Sequence, residues 1–341
     1  MATIAIDVMG SDQGLAEAVR AAAELSIRGD AHLVLVGEGS QIQSILNRSQ
    51  HERSRISVHH ASQTILMHDD PKVALKTLHD SSLTVSAALV ASGNADALVT
   101  AGNTGATILA CAAAFNPLPG VKRTALAAVF PTERRRGQND DPFSLILDVG
   151  ATLGASAETL VTFAHMGAAY AACISGNTSP TVALLSNGTE SHKGLPPIVS
   201  AHERLRRDER LNFIGNIEGL DLPRGSADVV VTDGFTGNVV LKMLEGIGET
   251  VFNLGRYAYR SRWTWRAGLW MLRGGLKQLK DVTDWRQYGG APILGFDRLC
   301  IKAHGRSNQR AIANAIKVAI KASEQNLVHQ IGQRIAPGET E

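Results

Sequence analysis

The residue types that could do chemistry in this chain gather in turns, and most of them are hydrogen-bond donors. Lys193 offers a cation beside Gly194, and Asn103, Asn216 and Asn238 offer neutral amides. Around them stand Asp7, Gly10 and Asp12; Gly102, Thr104 and Gly105; Asn187 and Gly188; Asp233, Gly234, Thr236 and Gly237; and His304, Gly305 and Ser307. Small residues in such turns leave backbone N–H groups free to face an anion such as phosphate. The usual nucleophile patterns do not stand out: there is no GxSxG elbow and no obvious Ser-His-Asp or Cys-His set. Neither GxxxxGK[ST] nor GxGxxG occurs. A donor-rich, nucleophile-poor site suits a reaction in which the bound anion itself attacks, with phosphate held beside an electrophilic carbonyl and the oxyanion stabilised. Asp233 has two readings, orienting Lys193 or closing its own turn.

Each cluster follows an apolar run that reads as a strand. Val229–Val231 is short, β-branched and apolar, the pattern of a strand buried on both faces. It leads into Asp233-Gly234, after which Val239, Val240, Met243 and Leu244 resume at helical spacing. The same order recurs at Ile4–Asp7, Ala97–Thr100, Leu145–Asp148, Val182–Leu185 and Leu299–Ile301, with Leu33–Val36 a further strand. One such turn is ordinary turn chemistry, since Gly, Asn and Asp suit any α/β connection. Six of them at strand ends point to one anion-binding cleft assembled from many loops. Alternating strand and helix signals predict an α/β doubly wound, mostly parallel sheet. Helices are expected over Ser81–Leu89, Gly105–Ala114 and Ser307–Ile320, the last with Ser307 as N-cap and Ile312, Ala315, Ile316, Ala319 and Ile320 as its buried stripe. Glu133–Asp141 reads as a solvated loop. The chain reads as a single domain over 1–333 with a frayed tail at 334–341.

Bulk properties narrow the function classes. The 341 residues are 44% hydrophobic and 19% charged, with a formal net charge of +2. That suffices for a large core and argues against nucleic-acid binding carried by bulk charge. Cys111, Cys173 and Cys300 are odd in number and sit among Ala and Ile, as reduced buried thiols do in a cytoplasmic protein. No spacing suggests a metal, no cofactor fingerprint is present, and no basic-then-apolar leader or long apolar span is seen.

One segment, 252–286, departs from this pattern. From Phe252 to Lys280 it has no acidic residue, seven cations (Arg256, Arg260, Arg262, Arg266, Arg273, Lys277 and Lys280) and three tryptophans, Trp263, Trp265 and Trp270. Basic side chains interleaved with Trp and Leu suit a helix lying at an anionic membrane surface. They equally suit an amphipathic dimer helix with a cationic outer face, and less readily an RNA surface.

Eight blocks occur in order over nearly the whole chain: IAIDVMGSD, TAGNTGA, LILDVGA, NGTESHKG, NFIGNIEG, DVVVTDGFTGNVVLK, YGGAPILG and KAHGRSNQRAI. Together they resemble the PlsX-type phosphate acyltransferases of bacterial phospholipid synthesis. The resemblance implies a three-layer α/β/α fold related to phosphotransacetylases and isocitrate dehydrogenase-like enzymes, a homodimer, and a cytoplasmic protein peripherally bound to the membrane. It implies acyl transfer from acyl carrier protein to inorganic phosphate, giving acyl phosphate for a downstream membrane acyltransferase, with no cofactor and no metal. An acyl-CoA-preferring enzyme and a catalytically weakened paralogue are the alternatives. By the resemblance Lys193 matches the family's KG lysine and Asn238 its FTGN asparagine, both at the reacting centre. The chain departs from the family at Ser11, where a second Gly is usual, and at Thr152 and Gly154, where Asn and Asp are usual.

Overall fold

A computed structural model describes residues 1–29, 31–136, 141–275 and 289–336. Its strands are β1 (Thr3–Asp7), β2 (His32–Gly37), β3 (Ile56–His60), β4 (Ala97–Thr100), β5 (Ala125–Arg136), β6 (Asp141–Leu147), β7 (Thr181–Leu185), β8 (Asn212–Ile217), β9 (Val229–Val231), β10 (Ala291–Leu294) and β11 (Leu299–Lys302). They form one sheet in the order β3-β2-β1-β4-β11-β10-β5-β6-β9-β7-β8. Pairing is parallel except at β11–β10, β10–β5 and β5–β6, which are antiparallel. The sheet is therefore mostly parallel, as expected.

Both faces are covered, because the central strands are apolar on both sides up to their polar last residues and have no side to show to water. Ile4, Ile6, Leu33, Leu35, Val99, Leu147 and Val231 pack on one face, with Phe163 and Met166 of the Ala157–Ser175 helix and Ile312 and Ile316 of the Gln309–Glu324 helix. Ala5, Leu98, Ile146, Ala183 and Val230 pack on the other, with Leu83 and Ala87 of the Ser82–Ala91 helix and Ala106 and Ala110 of the Thr104–Ala114 helix. The result is three layers, α/β/α.

Several local expectations are corrected. Glu133–Arg136 continue β5 rather than forming a loop, and 137–140 lie outside the described residues. The N-cap of the Gln309–Glu324 helix is Asn308, whose Oδ1 accepts from the Ala311 N–H at 3.1 Å, while Ser307 is buried one residue upstream. Both residue types cap well, so composition alone does not choose between neighbours. The final helix runs from Leu327 to Ile335, into the stretch expected to fray; 337–341 lie outside the described residues. Residues 276–286 of the basic segment, Lys277 and Lys280 among them, also lie outside.

Candidate functional site

The reversal of direction between β5 and β6 divides the six turns into two groups. The turns after β1, β4 and β11 leave one edge of the sheet, and those after β6, β7 and β9 leave the other. The Gly234–Ser261 helix connects them, as it starts at the end of β9 and carries Lys242 and Glu245 alongside His304. Arg306 reaches Glu249 of the same helix at 3.8 Å. The expected single cleft is thus two turn groups joined along one helix.

In the first group, Asp7, Thr100 and Lys302 stand opposite one another in register across β1, β4 and β11. All three are at most 5% exposed. Asp7 accepts from Ser82 Oγ at 2.6 Å, Thr100 Oγ1 at 2.7 Å and the Met9 N–H at 3.2 Å. Asp7 therefore braces the strand ends rather than meeting a ligand. Above this row the loops are closely set. A Cβ on Gly10 would come within 2.8 Å of Gly102 Cα, and one on Gly305 within 2.8 Å of Asp12 Oδ2. At Gly10 the neighbour is backbone, so only glycine permits the approach, whereas at Gly305 the neighbours are side-chain ends that could shift. Ser11, which departs from the family pattern, donates to the Gly305 carbonyl at 3.1 Å and ties two of the loops together. Asp12 N–H donates to the same carbonyl at 3.0 Å.

Asn103 is an N-cap: its Oδ1 accepts from Ala106 N–H at 3.0 Å, and its amide donates to the Met67 and Asp69 carbonyls at 3.0 and 3.1 Å. The side chain expected as a ligand donor is spent on the fold. Among the described residues, however, the N–H groups of Asn103, Thr104 and Gly105 have no protein acceptor, and these face the end of β4. Gly105 lies against Pro71, where a Cβ would come within 2.8 Å of the Pro71 ring. The Ser307 hydroxyl is buried without a partner. Burial, reinforced by Lys242, holds the His304 imidazole below its ordinary range, with Glu245 opposing.

In the second group, Asp148 is the hub. It is fully buried, and its carboxylate accepts from four backbone N–H groups: Leu126 at 2.8 Å, Gly150 at 3.1 Å, Ala151 at 3.0 Å and Thr152 at 2.6 Å. Burial nevertheless raises its pKa. Thr152 donates its hydroxyl to the Thr124 carbonyl at 3.0 Å. Gly234 and Gly237 let the helix start press onto this loop; a Cβ on Gly237 would sit 1.9 Å from the Asp148 carbonyl oxygen. The N–H groups of this helix start are all spent: Gly234 on Thr152, Phe235 on Leu153, Thr236 on Asp233 Oδ1 and Gly237 on the Asp233 carbonyl. The expectation that this helix start receives an anion through its backbone is therefore corrected; the loop after β6 occupies it. Asp233 Oδ2 also accepts from Thr236 Oγ1 at 2.7 Å, so both its oxygens close its own turn.

Asn238 is exposed one turn further on, against Gly150. Lys193 is half-buried with its stem over Gly188, and among the described residues its ammonium has no hydrogen-bond partner. Asn187 and Gly188 share its loop after β7, and β7 is the direct neighbour of β9. Asn216 bridges that loop to the sheet, donating to the Glu190 carbonyl at 2.9 Å and meeting His202 Nδ1 at 2.9 Å. Its amide is structural. Lys193 and Asn238 are thus available donors on this side, and the exposed Asn187 amide, which among the described residues only accepts from Ser186, is a third. Lys302, Asp148 and Lys242 were missed although each lies within one of the eight blocks, because a lone Lys or Asp carries no chemical pattern; only its strand register or helix face shows its task. No group of His, Cys, Asp and Glu that could hold a metal occurs among the described residues.

Trp263, Trp265 and Trp270 lie on the Trp263–Met271 helix, 80%, 45% and 57% exposed. No helix among the described residues is long and apolar enough to cross a membrane.

The family described as fatty acid synthesis protein matches residues 2–330. The chain is 37% identical over 330 residues to a phosphate acyltransferase of Fusobacterium nucleatum, covering 96% of this chain and 97% of that one. It is 40% identical over 324 residues to that of Myxococcus xanthus, covering 94% and 90%. Among solved structures it is similar to a phosphotransacetylase from Streptococcus pyogenes, with TM-score 0.62 and 17% identity over 95% and 94% of the two chains. A branched-chain phosphotransacylase from Enterococcus faecalis gives TM-score 0.58 at 15% identity over 95% and 99%. These two share the fold. The full-length match and these identities place the chain in the fatty acid synthesis protein family, that of the PlsX-type phosphate acyltransferases its motifs resemble.

Proposed function

We propose that this protein transfers an acyl group from the thioester of acyl carrier protein to inorganic phosphate, releasing acyl phosphate for phospholipid synthesis. The observation that carries this reading is the presence of two uncommitted donors after adjacent parallel strands, Lys193 on the loop after β7 and Asn238 on the first turns of the helix after β9. A phosphate oxygen attacks the thioester carbonyl directly. Lys193 and Asn238 stabilise the developing oxyanion, and its collapse expels the thiolate. No acyl-enzyme forms. Donors held ready for a charge that develops only in the transition state act without reorganisation.

The test is thiol release from acyl carrier protein and acyl-CoA thioesters, side by side, with and without phosphate. Release should require phosphate. Lys193→Ala and Asn238→Ala should each lower turnover by roughly 10²–10³-fold, with little change in thermal stability. A covalent acyl-protein on the path, or phosphate-independent release, defeats the reading.

The partners follow from uncovered surface. Phe235, Val239, Met243, Ile247 and Val251 form an exposed ridge at four-residue intervals along the Gly234–Ser261 helix, continued by Leu254. Such a ridge suits packing against the same helix of a second copy. The tryptophan helix beyond it suits an anionic membrane surface, where an amphiphilic acyl phosphate is best released.

A further inference from the structure

Lys302 is the last residue of β11 and only 5% exposed. Burying an ammonium is costly unless it is fully paired. This one is not. Among the described residues its only hydrogen bond is to the neighbouring Ala303 carbonyl, leaving two N–H donors unspent. It makes no ion pair with Asp7, whose oxygens are taken by Ser82, Thr100 and Met9. Register puts Lys302 in one cross-strand row with Asp7 and Thr100, on the sheet face that carries the Ser82–Ala91 and Thr104–Ala114 helices. The latter helix starts four residues after Thr100, at the free N–H groups of Asn103, Thr104 and Gly105.

Resting on the phosphate-transfer reading, we propose that Lys302 and these three N–H groups hold the inorganic phosphate substrate over the ends of β4 and β11, on the side where Lys242, one helical turn beyond Asn238, faces both Lys302 and His304 and brings the two turn groups together, leaving Lys193 and Asn238 to the carbonyl. A buried, under-bonded cation beside unspent backbone donors has the charge and the donor number that a phosphate dianion satisfies. The groups that face Lys302 are Asp7 from β1, Asp12 from the following loop, Cys300 from its own strand, and Lys242 from the Gly234–Ser261 helix, with His304 two residues on. Burial outweighs the favourable acids and brings the Lys302 pKa down to about 8. The ammonium is then lost in mildly alkaline solution, where phosphate stays a dianion.

The experiment is calorimetric titration of the purified full chain with inorganic phosphate from pH 7 to 9.5, alongside the phosphate KM. Wild-type affinity should fall as pH rises through about 8. Lys302→Met should weaken phosphate about 10- to 100-fold at pH 7, the worth of one charge-assisted hydrogen bond, and should raise the phosphate KM by a like factor. Lys302→Arg should retain binding and lose the alkaline fall. Unaltered phosphate affinity in a folded Lys302→Met protein, or a flat wild-type profile, overturns the assignment and leaves Lys302 as a counter-charge to Asp7. Binding is read without turnover, so a protein that binds phosphate through Lys302 yet releases no thiol contradicts the acyl-transfer reading alone.

Discussion

Asp233 shows how one hydrogen-bond geometry settles a residue's task. Its two carboxylate oxygens meet the Thr236 N–H at 2.9 Å and the Thr236 hydroxyl at 2.7 Å. It is an N-cap, and Lys193 has no bond to it. A cap contributes about 0.5–2 kcal/mol. Asp233→Ala should therefore lower the unfolding midpoint, whereas Asp233→Ser, an equally good cap, should keep turnover within about threefold. Parallel thermal unfolding and thiol-release assays check this; a large activity loss in Asp233→Ser would show that the carboxylate acts on Lys193 after all. Asn103 and Asn216 follow the same logic, since each amide that looked available is committed to a carbonyl or a ring nitrogen.

At the scale of elements, the approach of the Gly234–Ser261 helix to the loop after β6 depends on Gly237. A methyl there would meet the Asp148 carbonyl oxygen at 1.9 Å and Thr232 Cγ2 at 2.9 Å. Backbone cannot yield as a side-chain end can. Gly237→Ala should cost about 1–3 kcal/mol or more in denaturant unfolding, and should lower turnover by moving Asn238. A second element rests on charge. Arg210 bonds both Asp208 oxygens, at 2.9 and 2.7 Å, and donates to the Ala336 carbonyl at 3.0 Å, holding the end of the Leu327–Ile335 helix. Those bonds, Arg210's above all, lower the Asp208 pKa from 3.8 to about 2. A depressed acid contributes stability that is complete above its unfolded pKa and is lost as pH falls through its folded one. Asp208→Asn should melt below the wild type at pH 6, and the gap should close between about pH 4 and 2. A gap that persists at pH 2 would mean the clamp is not electrostatic.

For the whole molecule, the decisive surface is the uncovered one. Arg262 lies over the Trp265 ring at 5.3 Å, Arg266 over Tyr259 at 5.4 Å and Arg273 over Trp270 at 4.7 Å, so cations and rings interleave along the basic segment. Each cation near an anionic surface contributes about 1 kcal/mol, screened beyond a Debye length of ~8 Å at physiological salt. Wild-type protein should bind anionic vesicles reversibly and release with salt. Replacing Trp263, Trp265 and Trp270 with Ser should weaken binding while phosphate-dependent activity in solution persists, and sedimentation should still report a dimer. Wild type that ignores anionic vesicles at low salt, with Trp variants that become monomeric, would assign the segment to the dimer contact.

Local pattern alone determined the layers and the turns. Apolar runs such as Val229–Val231 have no polar side to show, so they must be central strands, and Gly, Asn and Asp must follow where the chain bends. The family is equally legible, because its blocks are contiguous in the chain. What the pattern leaves open is which donors remain free. Hydrogen bonds are made between residues distant in sequence: Ser82 to Asp7, Thr152 to Thr124, Asn216 to Glu190. The β5–β6 reversal is likewise a pairing choice, made where Ala127 meets Leu147, and it divides a set of turns that look equivalent in the sequence. Lys302 opens one of the blocks, but its place there does not reveal its task. Its meaning comes from register, which sets it beside Thr100 and Asp7 and buries its charge where strands from opposite ends of the chain meet.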